Sequence, residues 1–205
     1  MRFVSYLHDR TETLGLLLDD RVVPVSRLSP ELPNRMAELI DRPAAQTTIA
    51  RLADTIGPQE GIPAGEVELL APLPRPGNLV GIGQNYRAHA AEQASDAPAE
   101  PLIFLKHTAS VTHPGAVIEW DPGLATQVDY EAELAVVIGR AARRVEVDNA
   151  LSYVFGYTCL NDVSARNLQF GDLQWARGKS LDGFCPMGPA LLTADEIDDP
   201  QHLGI

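Results

Sequence analysis

What this 205-residue chain is short of narrows its class before any motif is considered. It has two cysteines, Cys159 and Cys185, too few for the disulfide framework of a small secreted domain and in keeping with a reducing compartment. Its longest apolar run, "LAVVI" at 134–138, is far too short to span a bilayer. The opening "MRFVSYLHDR" turns polar at once and so lacks the profile of a secretory signal. Positive charge is scarce: 16 Lys and Arg stand against 28 Asp and Glu, a net charge of -12. That argues against a general nucleic-acid binder, which needs a basic surface. The expectation is a soluble cytoplasmic protein with no nucleic-acid or membrane partner.

Several chemistries are missing as well. "GIGQNY" lacks the third glycine of a dinucleotide fingerprint. "GKSLDG" is not preceded by the glycine of a phosphate-binding P-loop, and no G-x-S-x-G elbow offers a serine nucleophile. Neither cysteine has an evident neighbouring base, so both read as packing residues.

What remains is 45% apolar and 21% charged, ordinary for a globular chain with a sizeable core. "RFVSYL", "TLGLLL" and "VVPVSRL" read as a small antiparallel meander. "ELPNRMAELID" and "TTIARLADTI" space their apolar residues at helical intervals. The turn-rich "APLPRPGN" places a boundary, with a small α+β domain over 1–70 and a second domain over 71–205. Beyond it, "LVGIG" and "LIFLK" read as strands, "NYRAHAAEQA" and "DVSARNLQ" as helices. The closing "DDPQHLGI" has no terminating logic, so the chain reads as cut in mid-domain.

Three stretches could carry chemistry. In "VDYEAELAVVIG" (128–139), Asp129, Glu131 and Glu133 recur at every second position, so on a strand they share one side. Glu131 and Glu133 can aim two oxygens at one hard cation such as Mg²⁺, with Asp162 as a candidate third ligand. The competing reading is a strand with one solvated face. "LAVVI" tilts the choice: without alternation it reads as buried on both faces, and carboxylates entering such a strand need a partner. "DVSARNLQ" puts Asp162, Arg166 and Gln169 on one face of the expected helix. That is either an Asp–Arg pair at a helix start or a metal ligand beside two substrate contacts, Arg being suited to a carboxylate. "NYRAHAAE" sets His89 and Glu92 three apart, either a surface pair or a histidine base oriented by a carboxylate. Lys179, in a loop rich in glycine and proline, is either solvated or a point charge for an oxyanion.

Taken in order, "GIGQNYRAHAAE", "PLIFLKH", "VDYEAELAVVIGR", "GYTCLNDVSARNLQ" and "RGKSLDGFCPMGP" closely resemble the fumarylacetoacetate hydrolase superfamily, from about residue 72 onward. The resemblance implies an α+β, mainly β fold of several packed mixed sheet layers, with a small N-terminal domain. It implies a homodimer with one divalent metal, Mg²⁺ in the first place and Mn²⁺ or Ca²⁺ as substitutes. On the matching positions Glu131, Glu133 and Asp162 are the metal ligands. His89 and Glu92 form a catalytic dyad, and Lys179 serves catalysis and binding. Arg166, Gln169 and Tyr86 contact a 2-oxo (di)carboxylate. Asp129 has no ligand role in that pattern. Asn167 stands where the family usually has Asp, and His107 where a proline often follows the lysine. Members also continue further, through a substrate-binding loop that this sequence does not contain.

The implied activity is hydrolysis of a C–C bond in an acylpyruvate or fumarylpyruvate, the metal serving as electron sink for an enolate. The alternatives are an isomerase or decarboxylase of unsaturated 2-hydroxy or 2-oxo dicarboxylates in aromatic catabolism, and a truncated non-catalytic remnant.

Overall fold

A computed structural model describes residues 1–57, 60–86 and 98–205. It is mostly sheet with few and short helices, an α+β fold of several sheets. The strands are β1 (Arg2–His8), β2 (Thr11–Leu18), β3 (Arg21–Pro24), β4 (Ile62–Pro63), β5 (Glu68–Leu69), β6 (Leu79–Gly83) and β7 (Leu102–Lys106). They continue with β8 (Val111–Thr112), β9 (Val128–Asp129), β10 (Ala132–Ile138), β11 (Val154–Asn161), β12 (Ser164–Ala165), β13 (Cys185–Pro186) and β14 (Leu191–Thr193). Helices α1 (Val25–Leu28), α2 (Met36–Ile40) and α3 (Pro43–Ala53) follow the meander, while α4 (Arg166–Gly171) and α5 (Trp175–Gly178) follow β12. Among the described residues no helix is long and apolar enough to cross a membrane.

The meander forms where the sequence places it, except that its third segment leaves the sheet at Pro24 and Val25–Leu28 turns into helix α1. β1 and β2 pair from Phe3 opposite Leu16 to His8 opposite Thr11. Asp9 and Arg10 make the two-residue connection with both φ values positive, the turn geometry that matches the twist of paired strands. β1 is buried on both faces. Phe3 packs with Leu14, Leu16, Met36, Leu39 and Ile49, the apolar faces of α2 and α3 closing that side. Val4 and Tyr6 pack with Val22 and Ala190, flanked by Ile62, Val67 and Leu69. Pro43 opens α3, where its missing N–H costs nothing.

The meander does not stand alone. β14 pairs with β1 (Phe3 opposite Leu191), β11 pairs with β14, and β10 pairs with β11, so one sheet of eight strands runs β10-β11-β14-β1-β2-β3-β4, with β5 also on β1. The β11–β14 approach is close: a Cβ at Gly156 would lie 1.9 Å from the Leu192 carbonyl oxygen. Only glycine fits there.

β10 departs from the expected burial on both faces. Val136 and Ile138 are 48% and 55% exposed. Among the described residues β10 is the edge strand of the large sheet, paired with β11. Val137 packs against the main core on one face, while the opposite face, with Val136 and Ile138, is left half open.

A candidate metal centre at the end of the β10–β11 hairpin

The register of β10 on β11 builds the site. Ala132 lies opposite Asn161, so the next pair outward is Glu131 and Asp162, and the Asp162 N–H donates to the Glu131 carbonyl at 2.9 Å. The Asn161 side chain accepts from the Glu131 N–H at 3.1 Å. Directly opposed residues on paired strands share a face, as do residues two apart on one strand. Glu131, Glu133 and Asp162 thus converge, each offering a carboxylate oxygen within 4.8 Å of the others. Among the described residues this is the one cluster suited to a metal ion.

Asp162 reaches its place differently from the expected route. It does not begin a helix. Ser164 and Ala165 pair with Asp129 and Val128, the Ser164 hydroxyl donates to the Asp162 carbonyl, and the helix starts only at Arg166. Val163 and Ser164 are weak helix formers, and the strand pairing wins over one more helical turn. Arg166 and Gln169 do share a helix face, joined by an Nη1–Oε1 hydrogen bond of 2.9 Å.

Two buried lysines meet the carboxylates. Lys179 Nζ donates to Glu131 Oε2 (2.8 Å), Asp162 Oδ2 (2.7 Å) and Ser164 Oγ (2.9 Å). It lies 4.9 Å from the Phe104 ring centroid, a cation–π distance. Gly178 makes this approach feasible, since a Cβ there would sit 2.7 Å from the Gln169 nitrogen and force α5 away from α4. Lys106, at the end of β7, donates to Asp162 Oδ1 at 2.6 Å, to the Val163 carbonyl at 3.5 Å and to the Lys179 carbonyl. Burial pulls its pKa below the ordinary lysine range, against the charge and hydrogen bond of Asp162.

Arg166 closes the outer side. Nη1 donates to Glu131 Oε1 at 2.5 Å, and Nε and Nη2 donate to Asp129 Oδ2 at 3.2 and 2.8 Å. Burial pulls its pKa down, but the hydrogen bonds and charges of Asp129 and Glu131 outweigh that and raise it. Tyr86 sits on the free edge of β10: its hydroxyl accepts from the Leu134 N–H at 3.0 Å and bonds Glu133. Burial pushes that phenol up to about 12. Burial is also the main cause that raises the Glu133 carboxyl, with Asp162 and Glu131 adding to it and the Tyr86 bond opposing it. Glu133 makes no ion pair among the described residues, whereas Glu131 and Asp162 each make two.

The expected residues Tyr86, Glu131, Glu133, Asp162, Arg166, Gln169 and Lys179 thus come together. His89 and Glu92 lie outside the described residues. Lys106 and Ser164 belong to the same network and were not expected there, while Asp129, expected beside the ligands without a ligand role, joins it through Arg166. Lys106 carried a signal: a lysine closing the apolar "LIFLK" has to find a counter-charge once buried. Asn167 serves the loop before β9, bonding the Thr126 N–H and the Leu124 carbonyl. His107 accepts from the Ala109 N–H and caps a short turn.

The donor set fits a hard divalent cation. It offers carboxylate oxygens only, from two strand ends tied by main-chain hydrogen bonds, as Mg²⁺ and Mn²⁺ prefer. Four carboxylates (Asp129, Glu131, Glu133, Asp162) face three cationic side chains (Lys106, Arg166, Lys179), so a net negative charge is left for an ion to balance.

The sequence and the fold both have known relatives. A mitochondrial oxaloacetate tautomerase of Xenopus laevis is 39% identical over 213 residues, which cover 100% of this chain and 66% of that protein. The solved fumarylacetoacetate hydrolase of Exiguobacterium antarcticum superposes with a TM-score of 0.77 at 32% identity, over 97% of this chain and 68% of that one. The maleylpyruvate hydrolase of Sphingobium sp. SYK-6, solved with manganese(II) and pyruvate, gives a TM-score of 0.75 at 28% identity, over 98% and 70%. This chain spans between 48% and 66% of the length of the curated relatives it matches. The family model described as the C-terminal region of fumarylacetoacetate (FAA) hydrolase matches residues 78–205, and the chain belongs to that family.

Proposed function

We propose that this chain carries a divalent-cation site that moves a proton on a small 2-oxo acid, converting keto and enol forms of an oxaloacetate-like dicarboxylate. The convergence of Glu131, Glu133 and Asp162 beside Lys179 and Arg166 carries this reading. Its substrate class is suggested by the oxaloacetate tautomerase at 39% identity. Glu131, Glu133 and Asp162 hold the cation, Mg²⁺ or Mn²⁺. When bound, the cation supplies Lewis acidity to the oxygens of the 2-oxo acid. Lys179, kept rigid by Glu131, Asp162 and Ser164, presents positive charge to the oxygen that gains electron density. Gln169 and the remaining Nη2 hydrogen of Arg166 receive a substrate carboxylate. Tyr86 holds Glu133 and, with its pKa near 12, stays a protonated donor at neutral pH. On the sequence reading, His89 assisted by Glu92 takes and returns the proton at carbon.

A second reading, C–C bond hydrolysis of an acylpyruvate, is favoured by the likeness to the maleylpyruvate hydrolase solved with pyruvate. The same carboxylates and lysine serve it, with His89 directing water at the distal carbonyl. One assay separates the two: enol-to-keto conversion of oxaloacetate followed by ultraviolet absorbance, beside pyruvate release from an acylpyruvate, each with and without Mn²⁺. Metal-dependent turnover of oxaloacetate without pyruvate release from the acylpyruvate supports the first reading, and the reverse supports the second. Metal dependence unchanged in Glu131→Gln removes the ligand assignment from both. Assembly as a homodimer is part of the proposal, and sedimentation velocity tests it.

A further inference from the structure

Asp129 is the first acid of "DYEAE" and the one that no ligand role claims. Its side chain nevertheless meets the centre through Arg166. Both ends of that contact are held by main chain: Asp129 pairs with Ser164 between β9 and β12, and the Arg166 N–H donates to the Gln127 carbonyl at 2.7 Å. One edge of the guanidinium, Nε and Nη2, is spent on Asp129 Oδ2. The other nitrogen, Nη1, is divided between Glu131 Oε1 and Gln169 Oε1.

We infer that Asp129 is a positioning residue for the metal centre, acting through Arg166 on Glu131. A guanidinium with one carboxylate neighbour forms a two-pronged pair with it. Were Glu131 that only neighbour, Arg166 would claim both of its oxygens and compete with the cation for them. Asp129 engages the competing edge, so Arg166 touches Glu131 through Nη1 at Oε1 alone and leaves Oε2 to Lys179, each oxygen keeping a lone pair for a cation. The alternation of three acids thereby divides into two tasks, two acids that ligate and one that disciplines the arginine between the strands. Asp129 is 48% exposed, and an ion pair so placed adds little to stability. Its effect belongs to the metal.

This inference rests on the metal reading proposed above, and the test keeps the two apart. Mn²⁺ binding to the whole chain is measured by electron paramagnetic resonance for the unaltered protein, Asp129→Ala, Arg166→Gln and the double variant, with circular dichroism to confirm folding. Asp129→Ala is expected to weaken Mn²⁺ about tenfold, the usual size for a partner that orients a metal ligand. Asp129→Asn, which keeps the shape and one acceptor oxygen, falls between the two and serves should the alanine variant not fold. In the Arg166→Gln background the same alanine change is expected to alter affinity less than about twofold, since its route to Glu131 is gone. An equal loss in both backgrounds means that Asp129 acts by charge alone and overturns the inference. So does unchanged affinity of the single variants. Failure of the unaltered protein to bind Mn²⁺ overturns the metal reading itself, and this inference with it.

Discussion

Leu39 and Lys179 are almost equally withdrawn from water, at 0% and 1% relative exposure, but the regions around them are held by opposite means. Leu39 lies in one apolar cluster with Phe3, Leu14, Leu16, Met36 and Ile49, where burial itself stabilises. Lys179 lies against Glu131, Asp162 and Ser164, where burial costs free energy and only the completeness of the pairing offsets it. Deleting a side chain in the first region leaves a void. In the second it leaves an uncompensated charge. The difference teaches where function resides: a dry charged cluster this dense is a poor way to stabilise a fold, and its value lies in what it presents.

The comparison is broken most readily at Asp162. Asp162→Ala is expected to abolish Mn²⁺ binding and to leave Lys106 without its carboxylate, for a loss of about 3 kcal/mol in urea unfolding without metal. A variant that unfolds like the parent would show the charged cluster to be more solvated than its burial implies. Leu39→Ala is expected to cost about 2 kcal/mol or more through the cavity it leaves, with Mn²⁺ affinity unchanged within about twofold. Weakened metal binding there would mean that the two regions are coupled.

A smaller effect sharpens the boundary between them. Burial pushes the Cys185 thiol up from 9.0 to about 11. The folded chain therefore holds this proton more tightly than the unfolded one. The stability so gained is fully present below pH 9.0 and is lost as pH rises towards about 11. On the order of 2 kcal/mol is expected, read as the difference in alkaline stability between the parent and Cys185→Ala. Equal decline in both would remove Cys185 as the cause. The smallest effect concerns Cys159, which is exposed on β11. A thiol reagent at pH 8 should modify Cys159 in the native protein and Cys185 only after unfolding, with Mn²⁺ affinity unaltered.

Much of this was legible in the sequence because period-2 alternation and ordered motifs are local signals. Most of the meander, β6, β7 and the strand that carries Glu133 follow from them, as does the pairing of Arg166 with Gln169 on one face, although the expected strand over 128–139 is broken at Tyr130 and Glu131. What was not legible is non-local. "LAVVI" has the composition of a central strand, yet β10 lies at the sheet edge, a fact of topology that no window of sequence contains. Asp162 was expected at a helix start because its stretch resembles one. The pairing of Ser164 with Asp129, 35 positions earlier in the chain, decides otherwise. Lys106 was passed over and Asp129 was left without a role because their partners lie far along the chain, at Asp162 and Arg166.

Gly156 gives the site an alignment tolerance of less than one methyl group. β11 can lie against β14 as closely as it does only because nothing projects from that position towards Leu192. Among the described strands β10 pairs with β11, so whatever tilts β11 tilts the strand that starts beside Glu131 and carries Glu133. A side chain at 156 would act as a shim under a mounted instrument. It would touch none of the three carboxylates, and it would change where they point.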